Sequence, residues 1–131
     1  MTRVASSDLC RAIKASLTRD LLKQEYQKIR GRNKFFGHCY VASELAYHML
    51  GGRKAGWAAH RLKHEGWTHW WLKNKKTDKV LDLTARQFLT PVPYEKGIAT
   101  GFLTKRLSKR ARVLRARVEA KLSQKGKSGR S

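Results

Sequence analysis

The chain has 131 residues, room for one compact domain and little more. Thirty Lys and Arg against nine Asp and Glu leave a formal charge of +21, while 40% hydrophobic and 9% aromatic residues are too many for disorder throughout. No apolar run approaches the ~18 residues of a bilayer span, Met1–Cys10 lacks a signal-peptide core, and two cysteines give no disulfide framework, so a membrane span, a stapled secreted miniprotein and an acidic module are excluded.

A first helix is expected from about Ser6 to Arg30, with Leu9, Ile13, Leu17, Leu21, Tyr26 and Ile29 on its apolar face. Ser6 or Ser7 can cap it, Asp8 suits its first turn, and Gly31 lies just past its end. Cys10 falls on the core side. A second helix follows Gly37, with Cys39, Val41, Ala42, Leu45, Ala46 and Met49 at helical spacing and Gly51-Gly52 to close it.

Gly66–Lys73 alternates, with Trp67, His69 and Trp71 on one face and Thr68, Trp70 and Leu72 on the other. Asn74–Thr77 reads as a turn and Lys79–Thr84 as a second strand, which together make a hairpin. Pro91 and Pro93 force a looping passage. From Thr104 the composition changes: eleven basic residues and one acid lie between Thr104 and Ser131. Leu107, Ala111, Leu114, Val118 and Leu122 form a helical stripe within this basic arm, and Ser123–Ser131 reads as a tail. The expected organisation is a single α+β domain over residues 1–103, followed by a basic C-terminal helix and tail over 104–131.

Chemistry concentrates on three residues. Gly37-His38-Cys39-Tyr40 sets a thiol at a helix start, where unpaired N–H groups and a partial positive charge favour a thiolate. With a two- or four-residue turn at the hairpin tip, Asn74 faces Thr77 and His69 lies opposite Asp82, with Cβ atoms about 5 Å apart. A three-residue loop would place them on opposite faces. Asp82 can thus orient His69, and His69 can serve Cys39 as general base.

These segments resemble the YunG-like family of small bacterial and phage proteins. Gly37-His38-Cys39-Tyr40 with Val41–Leu45 and Gly51-Gly52 carries the likeness, as do Thr68–Trp71 and Leu81–Thr84 with Gln87-Phe88. The likeness spans roughly residues 37–88. The order of Cys on a helix, His on a strand and Asp on the next is similar to papain-like and transglutaminase-like thiol enzymes. It implies a papain/transglutaminase-like core with Cys39, His69 and Asp82 as catalytic triad, needing no cofactor, and a phage origin. Papain-like enzymes place an oxyanion-donating Gln ahead of the nucleophile; here that place falls to Asn33, with His38 as a second candidate. The basic arm has no counterpart in the core pattern, and the family implies a scaffold rather than a named reaction.

Plainer readings stand beside these. Cys39 can be inert packing, and His69 a satisfied core histidine. His60 and His64 have helical ligand spacing, but with no Cys-x-x-Cys or His-Glu-x-x-His pattern the metal assignment is none. Trp67, Trp70 and Trp71 either stack bases or fill the core. Lys105, Arg106, Lys109, Arg110, Arg112, Arg115, Arg117 and Lys121 are expected to bind DNA or RNA rather than a membrane, since the stripe lacks interfacial aromatics. The function expected is a nucleic-acid-associated basic protein with a cysteine-type acyl hydrolase or transferase core. The alternative is a non-catalytic structural or nucleic-acid-binding protein of a virion or ribonucleoprotein. The setting expected is a reducing cytoplasm or the inside of a phage particle.

Overall fold

The computed structural model describes residues 6–29, 33–102 and 105–128, with side chains described as far as residue 124. Gly31, Thr104 and the side chains of Lys125, Lys127 and Arg130 lie outside that description. The architecture is mixed α+β. Among the described residues the α-helices are α1 (Ser6–Ser16), α2 (Gln24–Gln27), α3 (Cys39–Met49) and α4 (Lys109–Ser128). The strands β1 (Trp57–His64), β2 (Trp67–Asn74), β3 (Val80–Leu81) and β4 (Ile98–Thr100) form one antiparallel sheet in the order β3-β2-β1-β4.

The first helix stops at Ser16, well short of the expected Arg30. The apolar spacing continues, and Leu17 and Leu21 stay buried. The backbone carbonyls beyond are claimed by other partners. Thr18 is extended, and its carbonyl accepts from His38 Nε2 at 2.9 Å as well as from Leu21 N at 3.0 Å, while Leu21 O accepts from Arg110. A single 3-10 turn at Arg19–Leu21 and the one-turn α2 result.

Helix α3 has the expected bounds. Gly37, at φ +81°, turns the chain into it, and a Cβ there would come within 2.8 Å of Leu22. Val41, Ala42, Leu45 and Ala46 have no exposed surface, because the sheet packs on one side of α3 and α1 and α4 pack on the others.

The main partner of β2 is β1, joined through Glu65-Gly66, both at positive φ, as a two-residue hairpin turn requires. The sequence points instead to residues 79–84, which supply only the two-residue β3. Ala59, Trp70 and Leu72 face the helices; Leu62, His69 and Trp71 face a second, smaller cluster with Phe88, Val92 and Tyr94. A Cβ at Gly97 would collide with the Trp71 indole.

The basic arm is built into the main core. Ala111, Leu114 and Val118 are fully buried in the same cluster as α1 and α3, and α4 continues past Ser123 to Ser128. Ser108 starts it, its hydroxyl accepting from Ala111 N. The buried Glu44 carboxylate on α3 then accepts both Ser108 N–H and Ser108 Oγ–H, each at 2.7 Å. A carboxylate with no exposure is tolerated here because both oxygens are hydrogen-bonded. Glu44→Ala is expected to lower unfolding stability by roughly 3 kcal/mol, since it strands a capping amide as well as a hydroxyl. Ser108→Ala should cost about 1 kcal/mol; urea midpoints measure both.

Candidate active site

The N-terminus of α3 meets the edge of β2. Because β3 pairs only with Leu72 and Lys73, the edge of β2 around residues 68–70 is left to other groups. The Cys39 thiol occupies it: Sγ–H donates to Thr68 O at 3.6 Å, and Trp70 N–H faces the sulfur. The thiol therefore sits against the two peptide groups that flank His69.

Burial dominates its ionisation. The Cys39 thiol is pushed up to about 11, foremost by desolvation and further by the Asp82 charge, against a weaker lowering by Trp70, Tyr40 and its own N–H. The thiolate expected from the helix terminus is corrected accordingly: in the free protein the group is a buried thiol. Cys10, half-buried on α1, is likewise raised, first by desolvation.

His69 and Asp82 do meet, by a register displaced from the expected one. Leu72 faces Leu81 and Lys73 faces Val80, two positions away from Asn74 opposite Thr77. The loop closes through Asn74 Oδ1, which accepts from Lys76 N and Thr77 N, and Asp78 takes φ +63°. A shift of two leaves every side chain on its original face. His69 Nε2 lies 2.6 Å from Asp82 Oδ2, and both side chains are buried.

Asp82 is held from two further directions. Tyr94 Oη–H donates to Oδ2 at 2.8 Å, and Thr84 N–H to Oδ1 at 3.2 Å. Burial, then the Asp82 hydrogen bond and charge, raise the Tyr94 phenol well above its usual range. Nothing in the local sequence marks Tyr94 for this place. Because an ionised carboxylate only accepts, Nε2 carries a ring proton, and in the neutral ring Nδ1 carries the lone pair. Nδ1 is buried and has no hydrogen-bond partner among the described residues. Trp71 stacks on the ring at 5.7 Å and Phe88 meets it edge-on at 4.6 Å.

Beside the thiol opens a cavity of about 360 Å³, walled by Tyr26, Phe36, Trp67 and Trp70, with Lys23 and Arg110 also on its lining. Gln87 contributes to the same wall; its Oε1 is buried without a hydrogen-bond partner among the described residues. Sequence reasoning gives Gln87 no role, although Gln87-Phe88 is among the segments that carry the family resemblance.

The two oxyanion candidates are directed elsewhere. Asn33 is exposed, donates to Arg86 O at 2.7 Å and accepts from Phe35 N, while His38 Nε2 holds Thr18 O. Neither lines the cavity beside Cys39. His60 stacks on Trp71 and His64 contacts Thr90. No group of three His, Cys, Asp or Glu among the described residues is placed to hold a metal ion. Only Trp71 is fully buried; Trp67 and Trp70 are half-buried.

The basic residues divide. Arg110 pins Leu21 O, Arg117 pairs with Asp20, and Arg115 pairs with Glu119 one turn on. Lys105, Arg106, Lys109, Arg112 and Lys121 are exposed. No described helix is long and apolar enough to cross a membrane.

Fold and site together define a small α+β protein with a buried thiol at a helix start against the edge of β2, and a buried histidine–aspartate pair on the face of β2 that packs on Trp71 and Phe88. A family model described as YunG protein matches residues 5–123, and the chain belongs to the YunG family. The match runs far beyond residues 37–88 and takes in most of α4, so the basic helix is part of the family domain rather than an addition to it. No curated protein and no solved structure matches the chain.

Iodoacetamide should alkylate Cys39 about 100-fold more slowly at pH 7 than an ordinary exposed thiol, with the rate rising about tenfold per pH unit until about 11. A plateau near neutrality, read by peptide mass spectrometry, would contradict this. The folded value exceeds the ordinary 9.0, so the thiol's contribution to stability is intact below pH 9 and is lost as pH climbs through about 11.

Proposed function

We propose that this YunG-family protein is a cysteine-type acyl hydrolase or transferase whose papain/transglutaminase-like constellation is Cys39, His69 and Asp82, with α4 associating it with nucleic acid. One observation carries the reading: His69 is oriented by a buried 2.6 Å bond to Asp82 while its opposite nitrogen, Nδ1, is buried with no hydrogen-bond partner among the described residues. A histidine whose only task is packing has no need of a fixed tautomer.

The thiol reacts by general-base catalysis rather than as a preformed ion pair. As Sγ leaves Thr68 O and attacks an acyl carbon, its proton passes to Nδ1, and the Asp82 carboxylate steadies the resulting imidazolium. The carbonyl π pair moves to oxygen and returns as the bond to the leaving group breaks. That group departs with the proton from Nδ1. Water or an amine then attacks the thioester, gives its proton through His69 to sulfur, and the thiol is restored.

The second reading, a non-catalytic nucleic-acid-binding protein of a virion or nucleoprotein, is favoured by the depth of the thiol and its raised ionisation. Both readings suit a reducing cytoplasm or a phage interior, since both cysteines are free. They part on p-nitrophenyl acetate. The enzyme reading requires release of p-nitrophenolate with one acetyl group on Cys39, lost in Cys39→Ala and slowed about 100-fold in His69→Gln. Equal release by wild type and Cys39→Ala overturns it.

For the partner, affinity for a short DNA oligonucleotide should fall steeply from low to physiological salt. Replacing Lys109, Arg112 and Lys121 with Gln should reduce the salt slope by roughly three. An unchanged slope removes α4 as the interface.

A further inference from the structure

We infer that a second cavity takes one nucleotide unit of single-stranded nucleic acid, with the base on Trp57 and a phosphate among Arg53, Lys75 and Lys76. It lies between the end of α3, the start of β1 and the loop after β2, and its volume of about 490 Å³ suits a small-molecule-sized group. The inference rests on the nucleic-acid reading for the class of partner and deepens it, because none of the α4 cations lines this cavity.

Two segments bring the cations together. The 3-10 turn Gly52–Ala55 carries Arg53, and the loop after β2 carries Lys75 and Lys76. Asn74 clasps the two: its Nδ2–H donates to Ala55 O at 3.1 Å, and its Oδ1 accepts from Lys76 N at 2.9 Å. Lys75 N–H donates to Gly56 O at 2.7 Å, and Lys76 Nζ donates to Lys54 O at 2.9 Å. The join is close enough that a Cβ at Gly56, φ +95°, would come within 2.7 Å of Asn74 Oδ1. These bonds hold the backbones of three like charges around one cavity whose lining has no carboxylate. Asp78, the loop's own carboxylate, pairs with Lys73 instead. The Arg53 guanidinium and the Lys75 ammonium have no hydrogen-bond or ion-pair partner among the described residues. Cations gathered in this way repel one another until an anion enters, and phosphate oxygens can accept from all three.

The aromatic part of the lining selects a base. Tyr47 and Phe102 are engaged with each other, centroids 5.3 Å apart, and Phe102 also stacks on Trp70 at 5.8 Å. Trp57 differs. Half-buried, it packs against the main core yet forms no ring pair, hydrogen bond or ion pair among the described residues. Its place is set by β1, where it faces Asn74 across the ladder, next to Lys75. An indole beside three cations offers a base a stacking surface and its phosphate a counter-charge. A duplex keeps its bases inside its own stack, and an acidic polypeptide would use the charges but not the ring. A single strand uses both.

The test uses the full chain with two fluorescently labelled probes, a short oligo-dT strand and a blunt duplex of mixed sequence. Anisotropy titrations should show Trp57→Leu weakening the single strand about tenfold and leaving duplex affinity unchanged. Replacing Arg53 and Lys75 together with Gln should lessen the single strand's salt slope by roughly 1.4, about 0.7 per charge lost. Both of these side chains are exposed, so the fold does not depend on them. If Trp57→Leu unfolds, ultraviolet cross-linking of 5-iodouracil-substituted oligo-dT to the wild-type chain replaces it, and peptide mass spectrometry should place the cross-link on Trp57. Cross-links confined to other segments overturn the inference. So does an affinity lost when Lys109, Arg112 and Lys121 are replaced but unmoved by the Trp57 and the Arg53 and Lys75 changes, which keeps nucleic acid on α4 alone. A charge effect without a Trp57 effect points to an acidic polypeptide and overturns it too. Absence of affinity for either oligonucleotide overturns the nucleic-acid reading, and the inference with it.

Discussion

A buried carboxylate must be answered from every side, and in this protein Asp82 sets the terms. Its oxygens take a proton-bearing ring nitrogen from His69, a phenol from Tyr94 and a backbone amide from Thr84. Those three donors come from β2, from the segment beyond Pro93 and from the residue two ahead. Satisfying them turns the chain off the sheet after β3 and folds residues 83–97 over the His69 face, where Phe88, Val92 and Tyr94 pack on Trp71. Breaking the pair would leave an unanswered charge inside a dry cluster. The shortness of β3 is a consequence, and so is the open β2 edge that the Cys39 thiol fills.

Position and ionisation of that thiol are thus governed by different forces. The helix start brings Sγ to the edge of β2, but the packing that holds it there also strips its water. A helix terminus lowers a thiol's ionisation when solvent can still reach it; at this depth desolvation prevails. Such a site holds a protonated thiol, so the proposed reaction calls for proton transfer during attack rather than before it.

Periodicity revealed those elements whose faces differ in kind. Helix α3 lies between Gly37 and Gly51-Gly52, the alternation of β2 is intact, and Ala111, Leu114 and Val118 form the buried stripe of α4. The shared face of His69 and Asp82 was legible because a two-residue register change conserves parity. Strand β1 was hidden, since His60 and His64 fit a helical repeat as well as a strand, and its turn is Glu-Gly rather than a common hairpin pair. The early end of α1 depends on His38 and Arg110, distant in sequence, reaching the carbonyls of Thr18 and Leu21 just beyond it. Tyr94 and Glu44 act through contacts 12 or more residues away, which no local pattern encodes. Likewise, charge counting treats α4 as one uniform basic face, whereas Arg110, Arg115 and Arg117 are committed within the fold.

The most direct measurement of the whole account is the two-bond ¹⁵N–¹H correlation spectrum of the His69 imidazole at neutral pH, in wild type and in Asp82→Asn. For the neutral form of the ring, a proton at Nε2 alone, with Nδ1 in the unprotonated range and the pattern lost or reversed on replacing Asp82, is what the geometry demands. A ring protonated at Nδ1, or one whose tautomers average identically with and without the carboxylate, would contradict it.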